Sequence, residues 1–193
     1  MSADVESSTA ESSTAESTTA SGERPEDGTG PIAVGQVAPD FTLKDQNNEE
    51  VSLSTLLTER NVLIVFYPFA FTGTCTGELQ ALSDGADVFS TDSVVTVAIS
   101  CDSSYAHKVF EQRDSLTVPL LSDFWPHGAV ATAYGVFNAG GFANRGTFLV
   151  DRSGIVRFSE MNGPGRGRDP QAWRDAIAAL DSASPSVVGG PPH

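Results

Sequence analysis

Two cysteines, three histidines and eleven basic residues among 193 leave several kinds of protein out of reach. Two thiols are too few for the disulfide framework of a small secreted domain. With the histidines scattered, they form no metal-ligand spacing, and no metal is expected. Eleven Lys and Arg against 25 Asp and Glu give a formal net charge of −14, the wrong sign for nucleic acid or an anionic membrane. No apolar run approaches the length of a membrane helix, and no charged-then-apolar signal peptide opens the sequence. A reducing cytoplasm is the expected setting. The redox pair C-x-x-C is also missing, because Thr72 stands three residues before Cys75.

What is present suggests one α/β domain between two tails. Residues 1–31 repeat Ala-Glu-Ser-Ser/Thr-Thr-Ala between Thr9 and Ala20 and hold no aromatic. Such a segment buries too little apolar area to offset its ordering entropy, so disorder is expected there. Residues 182–193, rich in Pro, Gly and Ser, read as a second loose tail. Between them, in 32–181, order begins near Val34. Alternation at Phe41, Leu43, Val51 and Leu53 around Asp45-Gln46-Asn47-Asn48 predicts a hairpin, and 54–58 a short helix. The apolar runs 61–66 and 94–100 read as buried strands. Ser103 or Ser104 can cap a helix over 105–113 with Val109 and Phe110 inward. A short strand at 119–123 and a helical turn at 129–134, ended by Gly135, come next. A second hairpin spans 146–158, and Pro170 starts a last helix through Trp173, Ile177 and Leu180. Strand and helix alternate first and a hairpin follows, which predicts a sheet with a parallel start and an antiparallel end.

The chain is organised around Phe66-Tyr67-Pro68-Phe69-Ala70-Phe71-Thr72-Gly73-Thr74-Cys75, where a buried strand gives way to a helix. Pro68 has no N–H for the ladder and stops the strand, while Gly73 is read as the tight turn. The helix is predicted to start near Thr74 or Cys75 and to run to about Ser90. Cys75 then sits where unpaired N–H groups and the positive end of the helix dipole favour an anion such as a thiolate. The plain alternative is a buried structural thiol.

The spacing of Pro68, Thr72 and Cys75 resembles the active-site motif of the peroxiredoxins. Val34-Gly35-x-x-Ala38-Pro39-Asp40-Phe41 and Arg145-Gly146-Thr147-Phe148-Leu149-Val150-Asp151 are similar to landmarks of the same family. Ala70-Phe71-Thr72-Gly73 and Leu121-Ser122-Asp123-Phe124-Trp125-Pro126-His127-Gly128 resemble its AhpE-type branch, found in actinobacteria. The resemblance implies a thioredoxin-like fold with the family's insertions, a mixed central sheet and flanking helices. It also implies a thiol-dependent peroxidase. Cys75 would attack a peroxide and become a sulfenic acid. The Thr72 hydroxyl, the Cys75 backbone N–H and the Arg145 guanidinium would be donors to the peroxide oxygens, and Pro68 would shield the sulfenate. None of these roles needs a metal or organic cofactor. An external thiol, mycothiol with mycoredoxin or else thioredoxin, would restore Cys75, and a homodimer or higher homo-oligomer is expected.

Each residue also has an ordinary reading. Arg145 at a strand head is commonly a surface cation, Thr72 a helix cap, Pro68 a strand terminator. Glu78, one turn after Cys75, is a candidate support that can bond loop backbone or Arg145. Phe69, Phe71, Phe124 and Trp125 read as core or dimer contacts, and His107 and His127 are poor ligand candidates. Arg166, Arg168 and Gly163-Pro164-Gly165 can face the site or be plain surface. Cys101, at the end of the second buried strand, is a candidate resolving thiol, set against the usual packing of a free Cys as a small hydrophobe. Two further readings stay open: a thioredoxin-fold binding or chaperone module without turnover, and a thiol–disulfide reductase, which the missing C-x-x-C disfavours.

Overall fold

A computed structural model describes residues 30–163 and 167–183. The tails expected at 1–31 and 182–193 fall almost wholly outside the described residues, as does Arg166. Where the first tail meets the domain, Ile32 is already core, and its N–H donates to the Tyr134 carbonyl (3.2 Å).

Among the described residues, seven strands form one sheet. Its centre is β3 (Asn61–Phe66), β4 (Val94–Ser100) and β5 (Leu120–Ser122), paired in parallel. The hairpin β8 (Arg145–Val150) and β9 (Val156–Asn162) joins antiparallel through β8 on β3. On the other edge β1 (Thr42–Lys44) pairs antiparallel with β5 and with β2 (Glu50–Ser52). The parallel start and antiparallel end are both there, with an antiparallel hairpin added at the far edge.

All six residues of β3 are buried, because both sheet faces are covered and the pleat sends alternate side chains to each. Val62, Ile64 and Phe66 enter one core with Tyr134, Val136 and Phe148. Leu63 and Val65 enter the other, with Cys75, Leu79 and Leu82 of α2 (Gly73–Asp84). Phe110 of α4 (Ser104–Asp114) and Trp173 and Ile177 of α6 (Pro170–Ala183) complete that second core. Each such aliphatic or aromatic side chain contributes about 1.5–3 kcal/mol by burial. Short helices α1 (Leu53–Leu57), α3 (Ala86–Phe89) and α5 (Ala129–Ala133) finish the connections.

Several expectations need correction. The helix carrying Cys75 starts at Gly73 and breaks at Gly85 before the separate turn of α3. A Cβ at Gly85 would lie 3.0 Å from the Phe89 ring, so the break lets Phe89 pack back. The tight turn belongs to Phe71, at φ +64, while Gly73 is already helical. In α4, Ser103 is the cap, its hydroxyl accepting from the Ala106 N–H, but Val109 points to solvent and His107 joins Phe110 inside. A small hairpin, β6 (Phe137–Asn138) and β7 (Phe142–Ala143), was not expected, and α6 runs on to Ala183.

Candidate active site

Where β3 ends, the chain must leave the sheet. The Tyr67 N–H makes the last bond, to the Ile99 carbonyl (3.0 Å), and Pro68 has no N–H to extend it. Six residues later α2 begins. Its first helical bond runs from the Thr76 N–H to the Thr72 carbonyl, so the N–H groups of Gly73, Thr74 and Cys75 have no acceptor within the helix. Cys75 lies in that first turn, with its side chain on the core side and only 1 % exposed.

Pairing brings Arg145 to the sulfur. Because β8 runs antiparallel to β3 with Val65 opposite Thr147, the start of β8 lies beside the end of β3. Arg145 is buried, and its Nη2 lies 3.4 Å from Cys75 Sγ. Its Nη1 donates to Glu78 Oε2, which joins the site from the next turn of α2. Thus Arg145 is no surface cation, and Glu78 bonds it directly.

A second guanidinium completes the cluster. Arg168, just ahead of α6, donates from Nη2 to Glu78 Oε2 (2.9 Å) and from its backbone N–H to Glu78 Oε1 (3.2 Å). Its Nη1 reaches the Phe66 carbonyl (2.7 Å), the Gly146 carbonyl (3.2 Å) and Thr147 Oγ1 (3.3 Å), tying together β3 and β8 where they flank Cys75. Burial pulls Arg168 below the usual arginine range, and the hydrogen bond to Glu78 opposes that pull. Sequence spacing leaves Arg168 undecided between site and surface, since it stands 90 residues from Glu78 in a glycine-rich stretch of sequence.

Thr72 and Pro68 flank the same turn. Thr72 is the N-cap residue of α2, yet its side chain makes no capping bond. Its hydroxyl donates instead to the Phe69 carbonyl (3.1 Å), which leaves its oxygen lone pairs to accept a further hydrogen bond. Pro68 is buried, while Phe69 and residues 71–74 are exposed. Phe69, Phe71, Phe124 and Trp125 are not core: they are 45, 42, 53 and 83 % exposed.

Cys101 is buried in another setting, beyond the end of β4. Burial pushes its thiol up to about 12, with Asp123 and Asp102 pushing the same way. Both cysteines are free thiols. His107 is buried against Tyr67 and Ser100, and His127 Nε2 lies 2.8 Å from the Gly141 carbonyl. Among the described residues no group of three or more His, Cys, Asp or Glu is placed to hold a metal ion, and no helix is long and apolar enough to cross a membrane.

A thiol at a helix start, 3.4 Å from a guanidinium that a carboxylate holds in place, is arranged for nucleophilic sulfur chemistry. Residues 34–159 match the sequence model of the AhpC/TSA family. The chain is 55% identical over 150 residues to alkyl hydroperoxide reductase E of Mycobacterium tuberculosis, covering 77% of this chain and 98% of that one. Among solved structures it is similar to the reduced 2-Cys peroxiredoxin of Plasmodium vivax (TM-score 0.72, 28% identity, 79% of this chain and 83% of that one). It is also similar to the peroxidoxin BcpB of M. tuberculosis (TM-score 0.66, 31% identity, 79% and 98%). The chain belongs to the AhpC/TSA family and is a peroxiredoxin, a thiol-dependent peroxidase with the thioredoxin-like fold.

Proposed function

We propose that Cys75 is the peroxidatic cysteine of an enzyme that reduces hydrogen peroxide and organic hydroperoxides by a one-cysteine cycle. The thiolate sulfur attacks one peroxide oxygen. The S–O bond forms as the O–O bond breaks, Cys75 becomes a sulfenic acid, and the departing oxygen takes up a proton to leave as water or an alcohol. Charge developing on the two oxygens meets the Arg145 guanidinium and the free N–H groups of the first turn of α2. With its own proton given to Phe69, the Thr72 hydroxyl accepts from a peroxide O–H and orients it. Pro68 shields the sulfenic acid. An external thiol then condenses with it, releasing water and forming a mixed disulfide, and a second thiol frees Cys75. Mycothiol with mycoredoxin, then thioredoxin, are the reductants proposed, in the cytoplasm.

The observation that carries this reading is the 3.4 Å approach of Arg145 Nη2 to Cys75 Sγ. Its one-cysteine form is supported by Cys101, whose thiol, pushed up to about 12, is protonated at neutral pH and a poor nucleophile. The exposed aromatics Phe124 and Trp125 support a homodimer or higher oligomer. We further propose that the domain occupies 32–181, with tails on either side.

Intact mass after one equivalent of hydrogen peroxide, with dimedone trapping and peptide mapping, tests the cycle. The expected product is one oxygen, or one dimedone adduct, on Cys75, and no fast peroxide loss with Cys75→Ser. A loss of two hydrogens with Cys75 joined to Cys101 would make Cys101 the resolving thiol. No reaction at all would favour a non-catalytic thioredoxin-fold module.

A further inference from the structure

Residues 67–72 carry Pro68 and Thr72 but have no regular structure of their own, and one of them is strained. Phe71 sits at φ +64, a conformation that sterics disfavour for a side chain of its size. A strained residue keeps its place only where its surroundings hold it.

Helix α4 and the turn that leads into it grip this loop at three points. At the loop's start, Tyr67 Oη lies 3.0 Å from His107 Nε2, which is also 2.8 Å from Ser100 Oγ. In its middle, the Ala70 N–H donates to Asp102 Oδ2 (2.9 Å), and the Ser100 hydroxyl donates to the same oxygen (2.8 Å). Near its end, the Phe71 ring packs on Phe110 (5.0 Å between centroids), with the Arg113 guanidinium 4.8 Å from the centre of its ring. His107, Phe110 and Arg113 recur every three residues and share one face of α4. Asp102, just ahead of that helix, is pinned in turn, since the Ser122 hydroxyl donates to its carbonyl (2.6 Å).

We propose that Asp102 and Arg113 are positioning residues for the peroxide reaction, acting through the loop that α4 moulds. Neither touches the sulfur. Asp102 fixes the Ala70 N–H and Arg113 fixes the Phe71 ring. Between them they set where Thr72, bonded back to the Phe69 carbonyl, aims its lone pairs. The Cys75–Arg145–Glu78 cluster rests on α2 and β8 and does not depend on these holds. Loosening the loop should therefore impair alignment of a peroxide while leaving the sulfur itself as reactive as before. The proposal rests on Cys75 being the nucleophile.

Two probes of the same thiol separate alignment from reactivity. Hydrogen peroxide needs the loop's alignment, whereas iodoacetamide needs access to the Cys75 sulfur but no aligned donor or acceptor. Rate constants for both would be measured on the reduced full chain and on Asp102→Ala, Asp102→Asn and Arg113→Met. With Asp102→Ala the peroxide reaction should slow by about tenfold or more while alkylation changes by less than about twofold, since small misplacements weigh heavily on aligned reactions. Asp102→Asn keeps an acceptor oxygen for Ala70 and should recover most of the loss. Arg113, with its side chain 51 % exposed, can be replaced without disturbing the core, and Arg113→Met should slow peroxide alone by a few-fold, on the order of threefold. Should Asp102→Ala not fold, Asp102→Asn and Arg113→Met decide, and parental peroxide rates in Arg113→Met overturn the proposal. Asp102→Ala equal to the parent, or slowed equally with both probes, also overturns it. A parent chain that alkylates but ignores peroxide overturns the assignment of Cys75 itself, and the positioning role with it.

Discussion

Glu78 is the smallest part of the site on which the rest depends. Its Oε2 accepts from Arg145 and Arg168 together, and its Oε1 takes the Arg168 backbone N–H. Glu78→Gln keeps the shape but leaves two guanidinium groups, 4 and 0 % exposed, sharing a neutral amide. Breaking a buried pair in this way costs roughly 3–5 kcal/mol, and the 12 % exposure of Glu78 sets the expectation at the lower end, about 3 kcal/mol. Urea unfolding should show that loss. The rate of Cys75 with peroxide should fall by about ten- to a hundredfold, because Arg145 is no longer held at the sulfur. An unchanged rate with lowered stability would restrict Glu78 to a structural part. Glu78 was legible because it stands one helical turn beyond Cys75, within a single element. Arg168 was not, because nothing local marks it: it arrives through the packing of α6 and the end of β9, and neighbouring glycines make its stretch look like surface.

At the scale of the element, α4 ends with an avoidable strain. Ser115, its C-cap, lies at φ +53 and ψ +42, with its N–H bonded to the Glu111 carbonyl and its side chain exposed. A non-glycine residue in that region is disfavoured by roughly 1–2 kcal/mol, and glycine is the usual occupant. Ser115→Gly should therefore stabilise the chain by about 1 kcal/mol, offset in part by the entropy glycine adds to the unfolded state, and raise Tm by about 2–4 °C. Differential scanning calorimetry would show it, and a lower Tm would mean that the hydroxyl has a role the geometry does not reveal. The elements themselves were largely legible. The runs of β3 and β4 are apolar because both sheet faces are covered, and proline and serine mark the starts of α6 and α4. Val109 misled because an apolar residue at helical spacing reads as core, whereas the residues α4 buries are His107 and Phe110. Two-residue strands such as β6 and β7 are too short to carry any period, and the break at Gly85 depends on where the Phe89 ring packs.

Across the whole molecule, the way the sheet is covered gives folding an acid limit. His107 of α4 is fully buried, and burial pushes its imidazole down to about 4 against the upward pull of Asp102 and the Leu120 backbone. In the unfolded chain it titrates near 6.5. Between those two values the unfolded state binds a proton that the folded state refuses, so stability is full above pH 6.5 and falls as pH drops through 4. Lowering the imidazole from 6.5 to about 4 corresponds to about 3 kcal/mol. Other groups bend the curve. Asp123, raised by burial, is protonated first in the folded state and pulls the opposite way, while Asp151, held below its usual value by hydrogen bonds from Ile155 and Arg157, loses its contribution only at lower pH. Acid also relieves the self-repulsion of a chain with net charge −14, which favours the fold. A bare pH profile thus mixes signs, and the comparison with His107→Gln isolates the one term. Glutamine can still bond Tyr67 and Ser100 but does not titrate. Urea midpoints at pH 7, 5.5 and 4 should fall more steeply for the parent than for His107→Gln, with the gap growing by about 2–3 kcal/mol toward pH 4. Parallel profiles would mean that the buried imidazole takes up its proton in the folded state as readily as in the unfolded one, with water or the Asp102 carboxylate close enough to accommodate the charge.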